Sequence, residues 1–245
     1  MQVIYTGEEA PRIITKSIFL AGPTPRSANV GSWRPEALEI FERLGYDGIV
    51  FVPEFRDGKR VADYVAQVEW EERYLNMADC ILFYVPRKMK TMPALVTNTE
   101  WGVWCDSGKV VFGAPKDAEK VSYQRYYAQK LRVPMSDTLE GTVKSALDMI
   151  GDGGLRTDGE REVPLYIWRN NSFQKWYEAL RLAGNRLDGA RVKWVCRVGK
   201  NKDIIFCWAL HVNVYVAKEK RSKVNEVVIS RPDTAMIVMY RKDEI

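Results

Sequence analysis

The strongest structural signal in the chain is the stretch Ser17-Ile18-Phe19-Leu20-Ala21-Gly22-Pro23-Thr24-Pro25. Its first part is a short, nearly continuous apolar run, which is typical of a strand buried on both faces of a sheet. The glycine and the two prolines that follow prevent the strand from continuing. The stretch therefore predicts a buried strand over 17–21 that ends in a turn.

Outward from this stretch, strand-like and helix-like segments alternate. Further strands are predicted over 48–52, 80–85 and 110–113, and helices over 32–44, 64–77, from about residue 100, over 123–131 and over 139–150. Strands separated by helices indicate right-handed βαβ units and a parallel sheet covered on both faces. We therefore predict a doubly wound α/β domain over 1–150.

The pattern changes after residue 150. The glycine-rich, charged segment 151–163 is typical of a linker. Beyond it, an aromatic helix around 173–180 is followed by strand-like segments over 192–198, 204–216 and 226–240. We predict a smaller α+β domain over 164–245.

Composition restricts the functional classes. Hydrophobic residues make up 46% and charged residues 28% of the chain, as in ordinary globular proteins, and the net charge of +5 does not imply a nucleic-acid polymer as partner. The apolar runs are too short to cross a bilayer, so we expect a cytoplasmic protein with no membrane partner. Four scattered cysteines and a single histidine indicate neither a metal site nor a disulfide framework, and no motif calls for a cofactor.

Candidate site residues follow from the predicted sheet, because ligands of open parallel sheets bind beyond the carboxyl ends of the strands. Glu100 is the candidate nucleophile: Thr97 or Asn98 can cap a helix beginning there, and a helix N-terminus favours an ionised carboxylate. Asp79 is the candidate for orienting a hydroxyl or relaying a proton. The other polar candidates are Arg26, Glu54, Asn98, Gln67 and Glu69.

Several ordered motifs resemble the nucleoside 2-deoxyribosyltransferase-like family. They are Ile18-Phe19-Leu20-Ala21-Gly22-Pro23, Gln67-Val68-Glu69-Trp70-Glu71, Met77-Ala78-Asp79, and Thr97-Asn98-Thr99-Glu100-Trp101-Gly102 followed by Ser107-Gly108-Lys109. The resemblance covers about 17–150.

The resemblance implies a flavodoxin-like fold and a reaction at the N-glycosidic bond of a nucleoside or nucleotide. The sugar passes through an ester on Glu100 to another base or to water. Gly22, with Pro23 beside it, lets the backbone approach the sugar, and Asp79 matches the family's aspartate. Arg26 matches an arginine that meets the 5′-phosphate in relatives hydrolysing monophosphates. A homo-oligomer is also implied.

Two alternatives remain open at this stage. The transferases have an acidic residue upstream of the nucleophile, where this chain has Leu95, which favours a nucleotide-binding or sensing module without chemistry. The segment from Pro164 onward resembles the start of a Nudix hydrolase domain, including the run 229–234. It lacks the Nudix box, so a separate Nudix-domain chain is a possible partner. Each candidate also has a plain structural explanation, such as a helix-dipole role for Glu100, a turn for Asp79 and solvent exposure for Arg26.

Overall fold

The computed structural model describes residues 1–26, 29–56, 58, 64–200 and 204–231. The chain forms two compact units, Met1–Trp168 and Arg169–Ile245. We describe each of them by itself.

The N-terminal unit is an α/β fold. Its elements are β1 (Gln2–Tyr5), β2 (Ile13–Ile14), β3 (Ser17–Ala21), α1 (Arg34–Arg43), β4 (Ile49–Val52), α2 (Tyr64–Met77), β5 (Cys80–Tyr84), α3 (Leu95–Trp104), β6 (Val110–Gly113), α4 (Ser122–Leu131), β7 (Met135–Ser136), α5 (Leu139–Ile150), β8 (Arg156–Thr157), a 3₁₀ helix (Asp158–Glu162) and α6 (Leu165–Trp168). Six strands form a parallel sheet in the order β1-β4-β3-β5-β6-β7. The prediction of a parallel sheet with helices between its strands is confirmed.

The strands after β1 have the doubly wound order 2-1-3-4-5, and β1 extends the sheet beyond β4. Val3 and Ile4 pair with Val50 and Phe51 of β4, so a short edge strand completes the sheet.

Two apolar clusters cover the two faces of this sheet. One face packs α1 and α5 through residues such as Phe41 and Val143, and the other packs α2, α3 and α4 through residues such as Tyr74 and Trp101. The central strands β3, β4 and β5 are buried throughout, as the apolar run over 17–21 predicts for β3.

The segment 151–163, predicted as a linker, is folded into the N-terminal unit. Its strand β8 pairs antiparallel with β2, and a capping box between Thr157 and Glu160 starts the 3₁₀ helix. Arg156 and Arg161 are both buried. Glycine and charge indicated an exposed connection here, but two of the charges lie in the interior.

The C-terminal unit contains α7 (Asn171–Leu182), β9 (Arg186–Val198), β10 (Ile204–Val216) and β11 (Arg221–Ser230), and its strands form an antiparallel sheet in the order β11-β10-β9. Phe173 of α7 packs on Trp208 of β10 with ring centroids 5.8 Å apart. This three-stranded sheet gives no support to the Nudix resemblance. Residues 232–245, including most of the strand predicted to reach Tyr240 and part of the run 229–234, lie outside the described residues.

Across the described parts of both units, every helix is too short or too polar to pass through a bilayer.

Candidate active site

The carboxyl ends of β3 and β5 mark the point where the connections leave the sheet in opposite directions, and α/β folds bind ligands at such a point. Gly22 directly follows β3 here. A Cβ atom at this residue would lie 2.2 Å from the Tyr84 carbonyl oxygen and 2.8 Å from the Trp33 ring. Only glycine allows this approach, so the chain after β3 runs close against the end of β5. Pro23 is buried beside it, and its carbonyl accepts a hydrogen bond from the Trp33 indole.

Arg34, in the first turn of α1, holds this edge together. Its guanidinium donates hydrogen bonds to the carbonyl oxygens of Leu20 (3.2 Å) and Gly22 (2.8 Å), to Thr24 Oγ1 (3.1 Å) and to Glu54 Oε1 (2.6 Å). The Arg34 side chain is 1% exposed, while that of Glu54 is 21% exposed. A fixed positive charge therefore lies under the turn, and the Glu54 carboxylate reaches solvent.

Glu71 of α2 and Glu100 of α3 form a pair of interacting carboxyl groups beside this arginine. The pKa of Glu100 is raised to about 7, mainly by burial and also by the negative charge of Glu71, while the positive charge of Arg34 opposes both effects. Burial also raises the pKa of Glu71, against a hydrogen bond from Gln67 and the charge of Arg34. Carboxyl groups that influence each other in this way titrate as a coupled pair.

The two carboxyl groups differ in their contacts. Gln67 Nε2 donates to Glu71 Oε1 at 2.8 Å from one turn earlier in α2. Among the residues that the structure describes, none donates a hydrogen bond to the Glu100 carboxylate. Glu71 is thus held in place by Gln67.

The predicted helix start at Glu100 is wrong. α3 begins at Leu95, behind an N-cap residue, Ala94, in left-handed conformation, so Glu100 lies in the second turn. The helix dipole acts mainly within the first turn, and burial determines the ionisation of Glu100 instead. Its pKa is raised, whereas a position at the helix start would lower it.

Asn98 faces a different neighbour from Glu100, because two residues along a helix differ by about 200° in direction. Its Oδ1 accepts hydrogen bonds from Arg87 Nη2 and, at 2.6 Å, from Gln124 Nε2. Arg87 also donates to the Lys120 carbonyl at 2.6 Å. Asn98 therefore joins α3 to α4 and to the loop after β5, and the structure does not bring its amide to Glu100.

Asp79 lies at the opposite end of the sheet. It precedes β5 beside Ser17, whose backbone N–H and hydroxyl donate to Asp79 Oδ2 at 2.8 and 3.1 Å, and Oδ1 forms a buried ion pair with Arg156. The length of β5, roughly 17 Å, separates it from the carboxyl edge. Such an arrangement fixes β3, β5 and β8 to one another, and it does not bring Asp79 to Glu100.

The remaining candidates lie at or near the carboxyl edge, with one exception. Arg26 has an exposed side chain, and its backbone N–H donates to the Thr91 carbonyl at 2.9 Å, which places it beside the loop after β5. Glu69 is the exception. It is exposed about 200° around α2 from Glu71, in a shallow surface pocket with Arg73 and Asp158.

Sequence reasoning missed Arg34 and Glu71 as site residues. Both occupy the inward side of an amphipathic helix: Arg34 is in line with Ala37 and Phe41, and Glu71 is next to Trp70. A charge within an apolar stripe is costly unless it has a partner or a function. That signal was present in the sequence.

The comparison with known families finds a match within the first of the two units. Residues 15–118 match the family model described as nucleoside 2-deoxyribosyltransferase like. The match contains Gly22, Arg34, Glu54, Glu71 and Glu100, and it points to glycosyl transfer on nucleosides as the chemistry of this segment. Comparison with curated proteins finds no match. No part of the C-terminal unit lies within the matched residues.

Proposed function

We propose that the chain cleaves or transfers the N-glycosidic bond of a deoxynucleoside or deoxynucleoside monophosphate, with Glu100 as the nucleophile. The observation that carries the proposal is the pair of carboxyl groups, Glu71 and Glu100, beside the buried Arg34 guanidinium. The matched family adds nucleosides as the substrate class.

The reaction divides into two displacements. The Glu100 carboxylate attacks the anomeric carbon as the C–N bond breaks, giving a glycosyl ester and a free base. In the reactive state the pair shares one proton, with Glu100 ionised and the proton on Glu71, which donates it to the leaving base. It then accepts a proton from the water or base that attacks the ester. In this proposal Glu71 takes the place of the acidic residue that the transferases carry at the position of Leu95.

Arg34 and the turn after β3 prepare this chemistry. The positive charge of Arg34 opposes the effects that protonate Glu100, so a useful fraction of the nucleophile is ionised near neutral pH. Gly22 allows the backbone to approach the sugar, and the partly exposed Glu54 is suited to accept a hydrogen bond from a sugar hydroxyl. These groups position the sugar while the two glutamates carry out the displacement.

The test is release of free base from deoxynucleosides, deoxynucleoside monophosphates and NAD, measured by liquid chromatography. We expect Glu100→Gln to lose a factor of about 1,000 or more and Glu71→Gln about 100 to 10,000 in kcat. Glu69→Gln is the matched control, because this glutamate is exposed on the same helix, and we expect full activity. Base release by Glu100→Gln at the wild-type rate would contradict the proposal that Glu100 is the nucleophile.

Phosphate recognition by Arg26 is a finer proposal. Guanidinium suits bidentate contact with phosphate, and Arg26 lies exposed in the loop after β3. Arg26→Ala should raise KM for monophosphates far more than KM for nucleosides. An equal effect on both substrates would contradict the phosphate role.

A second candidate, a nucleotide-binding module without chemistry, is favoured by Leu95, which is 58% exposed where the transferases have an acid. It predicts ligand binding by calorimetry with no base released from any of these substrates. The homo-oligomer implied by the resemblance stays a prediction that light scattering can test.

A further inference from the structure

Two cysteines of the C-terminal unit have no role in the reaction proposed for Glu100. Cys196 of β9 and Cys207 of β10 are directly opposite each other in the antiparallel register. Both are free thiols. Burial raises the pKa of Cys207, and the neighbouring Cys196 adds to the effect through its charge and a hydrogen bond between the two side chains. The two sulfur atoms therefore face each other across the strand pair.

The backbone geometry of such a pair fits a disulfide. Directly opposite residues of antiparallel strands have Cα atoms about 4.5 or 5.5 Å apart, depending on the kind of pair, and disulfides span Cα distances of about 4.4–6.8 Å. Side chains at opposite positions also project from the same face of the sheet. A bond between these two residues would join paired positions of β9 and β10 next to the register shift between Ile205 and Cys207.

The other two cysteines lack this arrangement. Cys80 is fully buried within β5 with Ile18 as its register neighbour, and Cys105 ends α3. Both lie in the N-terminal unit, apart from each other in the sequence and in the fold. They serve as internal controls for the reactivity of the pair.

We propose that Cys196 and Cys207 form a reversible modification site, which a low-molecular-weight disulfide converts into a cross-strand disulfide. The Cys196 thiolate attacks one sulfur of the small disulfide and releases a small thiol. The Cys207 thiolate then attacks the Cys196 sulfur of the mixed disulfide and releases the second small thiol. Two protein thiols are oxidised, one small disulfide is reduced to two thiols, and both protons pass to the released thiolates.

Accessibility sets the order of these two steps. Cys196 is partly exposed, whereas Cys207 is only 8% exposed. The oxidant therefore meets Cys196 first, and Cys207 acts as the resolving thiol. The new bond joins β9 and β10 close to the end of their hairpin and restricts the unfolded chain, which stabilises the C-terminal unit.

The experiment treats the folded, full-length protein with excess oxidised glutathione, then counts free thiols in denaturant and maps non-reduced peptides by mass spectrometry. We expect the thiols to fall from four to two, with one peptide pair joined through Cys196 and Cys207, and dithiothreitol to restore four. Cys105→Ser is the matched control, and it should fall from three thiols to one.

Single variants separate the two steps. Cys207→Ser should retain glutathione on Cys196, while Cys196→Ser should keep its remaining thiols free; Cys→Ala variants and circular dichroism check that folding is unchanged. The proposal is overturned if the folded wild-type protein keeps four thiols, if glutathione remains on Cys196 in the wild type, or if the bridge involves Cys80 or Cys105. Oxidation that occurs only after unfolding would overturn it as well.

Discussion

At the scale of single residues, the ionised form of Glu100 lowers the free energy of unfolding. Its pKa in the folded protein, about 7, lies above the ordinary value of 4.5, so the folded state binds this proton more tightly than the unfolded chain does. Its contribution to stability is fully present below pH 4.5 and is lost as the pH rises through 7. Catalytic carboxylates with shifted pKa values commonly carry such a cost.

The first prediction follows from the direction of this pKa shift. Glu100→Gln should raise the free energy of unfolding at pH 8 by up to about 3 kcal/mol and leave it unchanged at pH 4. Urea denaturation at both pH values measures the difference, with Glu69→Gln as an exposed control on α2. A gain of the same size at both pH values would show that the carboxylate charge is not its cause.

The second prediction concerns the coupling of the two glutamates. Below pH 7 the wild-type kcat/KM should rise about tenfold per pH unit, because Glu100 must ionise. Glu71→Gln removes a negative charge that raises the pKa of Glu100, so its acidic limb should move to lower pH while Glu69→Gln leaves it in place. Carbon-13 NMR of the glutamate carboxyl groups reports the same shift without activity. An unmoved Glu100 titration in Glu71→Gln would contradict the coupling.

Sequence reasoning found one half of this pair and missed the other for a physical reason. Both glutamates lie within the quoted motifs, but only the packing of α2 and α3 on the same face of the sheet brings Glu71 into interaction with Glu100. Gln67 was assigned to the site from the sequence, and it does contact Glu71. Which face of α2 turns inward decides between Glu69 and Glu71, and the buried Trp70 and Tyr74 next to Glu71 indicate that face.

At the scale of elements, the junction between β3 and α1 depends on one glycine. Gly22→Ala would put a methyl group against the Tyr84 carbonyl, so it should lower the free energy of unfolding by about 3 kcal/mol or more and abolish base release. Gly102→Ala is the matched control, because a Cβ at this position in α3 meets nothing within 4 Å. We expect it to add about 0.5–1 kcal/mol. Thermal and urea unfolding would distinguish the two variants.

The amino ends of β3, β5 and β8 are joined by Asp79, and this gives the fourth prediction. Asp79→Ala removes the carboxylate that is paired with the buried Arg156 guanidinium, which should cost about 3–5 kcal/mol. At a temperature where the variant is folded, its kcat should stay within about threefold of the wild-type value. This kcat is calculated per folded molecule, with the folded fraction measured by circular dichroism. A loss comparable to that of Glu100→Gln would return Asp79 to the catalytic set.

The elements themselves were largely predictable, since buried strands and amphipathic helices leave periodic patterns. β6, α5 and β10 have the predicted bounds. The errors lie where tertiary contacts determine the structure. β1 is a short edge strand that forms only by pairing with β4. The segment 151–163 has the composition of an exposed linker, but its Arg156 is buried in an ion pair with Asp79. The motif around Glu100 indicated a helix start near Glu100, whereas α3 begins at Leu95.

At the scale of the whole molecule, every group in the proposed reaction belongs to one compact unit. The two apolar clusters that cover the sheet also lie wholly within residues 1–168, from Ile4 to Leu165. A unit with its own core can fold alone.

A chain of residues 1–168 should therefore unfold cooperatively in urea and release base with the same acidic limb near pH 7. It should end after Trp168, because the Arg156 guanidinium packs over that ring at 5.7 Å. A truncated chain that folds but binds substrate without releasing base would mean that the C-terminal unit contributes to the chemistry itself.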